Sequence, residues 1–129
     1  MSVSSPARSR PLLWVACALL SLHGLIEVLS LLLLLDPAHP GPAFIFDELA
    51  HNWQMTLGVG FSTGVLRLAA AGGVLANRAW GWHLGLILSA MTFAMLTFFL
   101  PAGVFDAILA GGALLCLVVG KYGRTPILG

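Results

Sequence analysis

The chain has 129 residues, of which 59% are hydrophobic and 9% are charged, and its mean hydropathy is +0.98. Soluble domains carry about 25% charged residues, so this chain cannot cover its apolar surface in water. The net charge of +1 provides no basic field for nucleic acid. The composition therefore predicts one compact domain in a lipid bilayer, a multi-pass protein of the inner (plasma) membrane.

The first predicted span covers residues 12–35, behind a polar tail of residues 1–11 that we expect to be disordered. As a helix it would be roughly 36 Å long, enough to cross a bilayer. The apolar run is too long for a signal peptide and no small-residue cleavage site follows it, so we interpret it as a permanent span. Asp36 and Pro37 end it.

The second span is predicted at residues 56–76, after a Pro/Gly-rich loop at 36–46. Asp47 is a suitable N-cap, and a helix starting there could continue without a break into this span. Asn77 and Arg78 then form a tight hairpin.

The third and fourth spans are predicted at residues 80–100 and 102–120, separated by Pro101. Trp80 and Trp82 open the third span as expected interfacial anchors. The predicted fold is thus an all-α, up-and-down bundle of four transmembrane helices over residues 12–120, followed by a tail at 121–129.

Lysine and arginine distribution gives the expected orientation. Every flanking positive charge falls before span one, between spans two and three, or after span four; these charges are Arg8, Arg10, Arg78, Lys121 and Arg124. The loop between spans one and two and the turn at Pro101 carry none. By the positive-inside rule both termini and both tails are cytoplasmic.

Each predicted span carries a polar or small-residue stripe at helical spacing, and we expect these stripes to face one another. The stripes are His23, Glu27 and Ser30; Thr56, Gly60, Thr63 and Arg67; Gly81, Gly85, Ser89 and Thr92; and Gly103, Asp106, Ala110, Ala113 and Gly120. Two GxxxG patterns, Gly60–Gly64 and Gly81–Gly85, predict close packing within the bundle, with homodimerisation through one of them as the alternative.

Glu27 and Arg67 are charged residues near the centres of predicted spans, where a charge costs at least ~2.5–3.5 kcal/mol. We expect them to belong to an intramembrane polar cluster with His23, Thr63 and Asp106. Three interpretations stay open: a structural ion pair that fixes helix register, a binding or proton-handling site, and an unpaired Arg67 that extends to the cytoplasmic interface.

No catalytic residue, metal site or cofactor is predicted, because the usual nucleophile, phosphate-loop and metal-helix motifs are missing. His23 and His83 are poorly placed to share one haem iron. An external metal site at Asp47, Glu48 and His51 is a weak alternative to a solvated loop. Cys17 and Cys116 are expected to act as small buried hydrophobes.

The stretches LHGLIEVLSLLLLL and RLAAAGGVLANRAWGWHLGLIL resemble small bacterial membrane proteins of the DoxX-like and uncharacterised kind. That resemblance implies an accessory role or an unknown function and assigns no catalytic residue. Glu27 in the first span is also similar to the proton-exchanging glutamate of small multidrug transporters. Arg67, the long outer loop and the one-sided charge distribution depart from that family.

The leading hypothesis is a non-enzymatic membrane protein that supports or assembles with another membrane component, with a membrane-protein partner or a homo-oligomer as its expected contacts. The alternative is a small proton-coupled or small-molecule transporter that uses Glu27 and His23. A redox subunit that holds haem or quinone is the third hypothesis.

Overall fold

A computed structural model of the chain describes residues 10–34, 53–96 and 103–122. They form four α-helices, α1 (Arg10–Leu34), α2 (Trp53–Leu75), α3 (Ala79–Leu96) and α4 (Val104–Tyr122). Within these ranges there is no strand, which confirms the all-α prediction. Helix α1 begins two residues before the predicted span, and the loop predicted at 36–46 lies outside the described residues, as does nearly all of both predicted tails.

The helices form an up-and-down ring in which each packs against its neighbours in chain order and α4 returns to α1. Contacting residues run in opposite directions along every neighbouring pair, so all four interfaces are antiparallel. The contacts that fix these registers are Cys17 with Ala71, Gly24 with Gly64, Gly73 with Gly81, Arg67 with Thr92, Trp82 with Leu117, Gly111 with Phe93, and Gly112 with Leu19.

The α2–α3 connection is the tight hairpin that Asn77 and Arg78 predict. Asn77 has a positive φ of 53°, a left-handed conformation that asparagine tolerates better than most residues. The Asn77 amide donates to the Val74 carbonyl at 2.9 Å, and the Arg78 amide donates to the Gly73 carbonyl at 2.8 Å. These bonds satisfy carbonyl groups at the end of α2, as a glycine cap would.

Two glycine pairs bring helices into backbone contact. A Cβ placed on Gly73 would lie 2.7 Å from the Gly81 Cα, and one placed on Gly24 would lie 2.7 Å from the Gly64 carbonyl oxygen. Larger side chains at these positions would therefore push the helices apart.

Three of the four predicted packing glycines lie close to a neighbouring helix. Gly64 and Gly81 face other backbones, and Gly85 packs against leucines of α1 and α4. A Cβ on Gly60 would meet no described atom within 4 Å, so the described residues show no close packing at this glycine. The close partner of Gly64 in the described residues is Gly24 of α1.

An apolar core fills the half of the bundle beside the hairpin. We call it the hairpin half; its buried members are Ala16, Cys17, Leu20, Ala71, Val74, Trp82, Ala113 and Leu117. Trp82 was expected at a membrane interface, but it is buried and its indole Nε1 donates to the Leu117 carbonyl at 3.0 Å. Trp80 remains exposed. Trp80 and Trp82 are two positions apart and lie on different faces of α3, so only one of the two predicted anchors is exposed.

The outer surface of the bundle is apolar. Large hydrophobic side chains are exposed on all four helices, among them Trp14, Phe61, Met91 and Phe105. Helices α1 and α2 are each long and apolar enough to cross a membrane, over Pro11–Ser30 and Gly58–Leu75. The apolar parts of α3 and α4 are shorter, at most 17 residues.

Candidate functional site

The ionisable residues predicted from α1, α2 and α4 lie together in the half of the bundle away from the hairpin. His23 and Glu27 come from α1, Arg67 from α2 and Asp106 from α4, and a hydroxyl of α3, Thr92, joins them. We call these five residues the charge cluster. Every helix of the ring contributes to it.

Arg67 is the centre of the charge cluster and is 1% exposed. Its Nε donates to Glu27 Oε2 at 2.9 Å, and its Nη2 donates to the Thr92 hydroxyl. Its Nη1 is buried without a hydrogen-bond partner among the described atoms. The guanidinium thus links side chains of α1 and α3.

His23 lies between two carboxylates and is 3% exposed. Its Nε2 is 3.7 Å from Glu27 Oε1 and 3.7 Å from Asp106 Oδ1. Both distances exceed a hydrogen bond, but they join the same nitrogen to an acid on its own helix and an acid on α4.

Exposure increases across the charge cluster. The side chain of Arg67 is 2% exposed, that of Glu27 21% and that of Asp106 47%. The site is therefore open on the α1–α4 side and closed at Arg67.

Helical spacing and the Gly24–Gly64 contact build this arrangement. His23 and Glu27 are four residues apart on one face of α1, so both point the same way. At Gly24 the backbones of α1 and α2 approach so closely that an added Cβ would lie 3.0 Å from the Cβ of Arg67. This close approach lets the Glu27 carboxylate reach the guanidinium directly.

The other predicted polar residues lie around the charge cluster without completing it. The Thr63 hydroxyl lies beside the Glu27 carboxylate and also contacts the carbonyls of Val59 and Gly60 at 2.9 and 3.0 Å. Ser30 was expected on the inward stripe but is exposed, and it donates to the Ile26 carbonyl of its own helix. Ser89 is fully buried, and its hydroxyl has no partner among the described atoms.

No group of three or more His, Cys, Asp or Glu residues in the described ranges has a geometry that fits a metal ion. The alternative external site at Asp47, Glu48 and His51 lies outside those ranges. His83 is exposed, and its Nδ1 lies 2.7 Å from the Ala79 carbonyl of its own helix. Cys17 is a free, buried thiol that contacts the Ala71 carbonyl at 3.7 Å.

Comparison of the chain with protein-family models, with curated proteins and with solved structures found no match. The resemblance to DoxX-like proteins and that to small multidrug transporters both stay predictions.

One member of the charge cluster was missed by sequence reasoning. Thr92 was placed on the inward stripe of α3, but its bond to Arg67 was not predicted. The sequence does indicate part of this bond. An arginine near a bilayer centre needs several acceptors, and Thr92 is a polar residue on a facing stripe.

Proposed function

We propose that the chain is a four-span integral membrane protein that supports or assembles with another membrane component, and that its charge cluster holds the four helices in register. The observation that carries this proposal is the position of Arg67, fully buried and bonded to side chains of two other helices. A charge enclosed so completely in an apolar bundle needs fixed partners.

The exposed apolar surface of the helices supports a location in a lipid bilayer. Only 28% of the apolar stretch in α1 and 33% of that in α2 is buried inside the bundle. A core helix of a soluble protein would be mostly covered. Exposed serines also satisfy their own hydroxyls, since Ser30 donates to Ile26 and Ser62 to Gly58 at 2.7 Å. Such bonds suit a surface that meets lipid rather than water.

Antiparallel packing extends this proposal to α3 and α4. Each lies alongside a longer apolar helix, and the tight hairpin returns α3 directly beside α2. Seventeen residues span about 25 Å as a helix, at the lower limit of a transmembrane segment. If α1 and α2 cross the bilayer, α3 and α4 therefore cross it as well.

The positive-inside rule supplies the orientation of the proposed bundle. Arg78 is exposed in the hairpin, and the remaining flanking positive charges belong to the two ends of the chain. We therefore place the hairpin half on the cytoplasmic side and the half that carries the charge cluster nearer the outer leaflet.

Cysteine accessibility tests the membrane placement. In a variant with Cys17 and Cys116 replaced by alanine, single cysteines at residues 38, 78 and 129 are challenged in intact cells with a membrane-impermeant maleimide. We expect residue 38 to react from outside, and residues 78 and 129 to react only after the membrane is opened. Release of the protein by alkaline carbonate, or labelling of all three sites in intact cells, would contradict four spans in this orientation.

A second candidate function is proton-coupled or small-molecule transport through Glu27 and His23. It is favoured by the contact of one imidazole nitrogen with two carboxylates of unequal exposure. In liposomes with an internal pH dye, Glu27→Gln should abolish proton flux while the protein stays folded. Equal flux from the variant and from wild-type protein would exclude this candidate.

A further inference from the structure

We propose that Asp106, His23 and Glu27 form a proton pathway that links the outer side of the bundle to the buried Glu27–Arg67 ion pair, with Asp106 as the entry group. This inference deepens the second candidate function and rests on the proposed membrane placement. It assigns to Asp106 a role that charge pairing alone does not require, because Arg67 already has Glu27 as its carboxylate partner.

The geometry gives the pathway an order. Asp106 is the most exposed of the three groups and His23 the least, with Glu27 between them in exposure but bonded to the enclosed arginine. His23 Nε2 is equally distant, 3.7 Å, from an oxygen of each acid. A proton can therefore arrive and leave at the same nitrogen, without a ring flip.

The ionisable groups that lie around His23 in the described residues come from three helices. Helix α1 contributes His23 and Glu27, α2 contributes Arg67, and α4 contributes Asp106. The described part of α3 presents the Thr92 hydroxyl to Arg67, and its histidine, His83, is exposed and turned to its own backbone. Arg67 is the one cation among these facing groups, and its Nε lies 2.9 Å from Glu27 Oε2.

The transfer balances in two steps. A proton from the outer solution binds the Asp106 carboxylate, and the resulting acid donates it to the lone pair of His23 Nε2. The imidazolium then donates the proton from Nε2 to Glu27 Oε1, which restores neutral imidazole and converts Glu27 to the carboxylic acid. Each 3.7 Å gap has to close by side-chain rotation or be bridged by one water molecule. The Arg67–Glu27 bond then loses its ionic character.

Labelling with dicyclohexylcarbodiimide tests the pathway, because this apolar reagent modifies protonated carboxyl groups. Protein of known orientation in sealed vesicles is labelled at fixed internal pH and varied external pH, and the peptide that contains Glu27 is quantified by mass spectrometry. We expect Glu27 labelling to rise with external acidity, by up to tenfold per pH unit while most of the group is ionised. It should not respond to internal pH.

Two variants break the pathway at different points, and one is a matched control. His23→Gln and Asp106→Asn should each abolish the response of Glu27 labelling to external pH, while His83→Gln, a change at an exposed histidine, should keep it. Melting temperatures in detergent confirm that each variant is folded. If His23→Gln does not fold, Asp106→Asn provides the test, because Asp106 is half-exposed and its replacement disturbs packing less.

Three outcomes would overturn the pathway: Glu27 labelling that follows internal pH, labelling that is absent at every pH in folded protein, and an unchanged external response in Asp106→Asn. Orientation of the vesicles is measured separately with the maleimide assay. A failed pathway in correctly oriented protein is therefore distinguishable from a failed membrane placement.

Discussion

The hairpin half and the half that carries the charge cluster differ in how their buried polar atoms are satisfied. In the hairpin half, the Trp82 indole donates to Leu117 and the Cys17 thiol contacts Ala71, within a close-packed apolar core. In the other half, Arg67 Nη1 and the Ser89 hydroxyl are buried and have no hydrogen-bond partner among the described residues.

The hairpin half is therefore held by an apolar core, and the other half by an ion pair and a hydroxyl contact between helices. Each of the following predictions tests one side of this comparison.

The largest effect is expected at Arg67. Arg67→Gln leaves Glu27 partly buried without its cation, and breaking a buried ion pair in this way costs about 3–5 kcal/mol. Arg78→Gln is the matched control, because Arg78 is exposed in the hairpin. Melting temperatures in detergent should fall strongly for the first variant and little for the second; equal melting temperatures would remove Arg67 from the account of stability.

Adjacent glycines provide the test of the hairpin half. Gly73→Ala places a Cβ against the Gly81 backbone and should cost about 1–3 kcal/mol by overpacking. Gly72→Ala meets no described atom within 4 Å and should be neutral or stabilising by up to about 1 kcal/mol, as alanine favours helix. Urea or SDS unfolding measures both variants. A Gly73→Ala protein as stable as Gly72→Ala would show that α2 and α3 are not in backbone contact.

A smaller loss is expected at Trp82. Trp82→Phe removes the hydrogen bond to the Leu117 carbonyl and should destabilise the bundle by at least about 1 kcal/mol. Trp80→Phe, at an exposed position of the same helix, should have less effect. Tryptophan fluorescence separates the two environments: the emission lost in Trp82→Phe should be insensitive to an aqueous quencher, and a strongly quenched signal would place Trp82 at the surface.

Ser89 gives the smallest effect and the opposite sign. Because its buried hydroxyl has no partner within residues 10–34, 53–96 and 103–122, Ser89→Ala should leave stability unchanged or raise it by less than about 1 kcal/mol. Ser62→Ala, where an exposed hydroxyl bonds its own helix, is the control and should be close to neutral. A clear loss of stability in Ser89→Ala would show that its hydroxyl has an unseen partner.

Much of this organisation could be predicted from local pattern. Helical spacing places His23 and Glu27 on one face, and each of the four apolar runs contains a helix of the described residues. The features that local pattern did not predict depend on how each helix is rotated about its axis and on which residues meet in three dimensions. Gly60 and Gly64 differ by 40° around α2, and of the two only Gly64 lies against Gly24.

The partner of a buried charge was harder to predict than its burial. The sequence indicates that Arg67 needs acceptors, and Glu27 was one candidate among the nearby acids. The choice between Glu27 and Asp106 depends on the close approach of α1 and α2 at Gly24 and Gly64, a contact between residues 40 positions apart in the chain. Thr92 reaches Arg67 only because the hairpin sets the register of α3.

A double-mutant cycle between Glu27 and Arg67 tests the central claim most directly. Glu27→Gln, Arg67→Gln and the combined variant are unfolded under identical conditions in detergent or bicelles. If the pair holds α1 and α2 in register, the coupling energy should be about 1–3 kcal/mol, and the combined variant should be more stable than Arg67→Gln alone. Strictly additive losses would contradict a structural ion pair and remove the basis for treating the charge cluster as one unit.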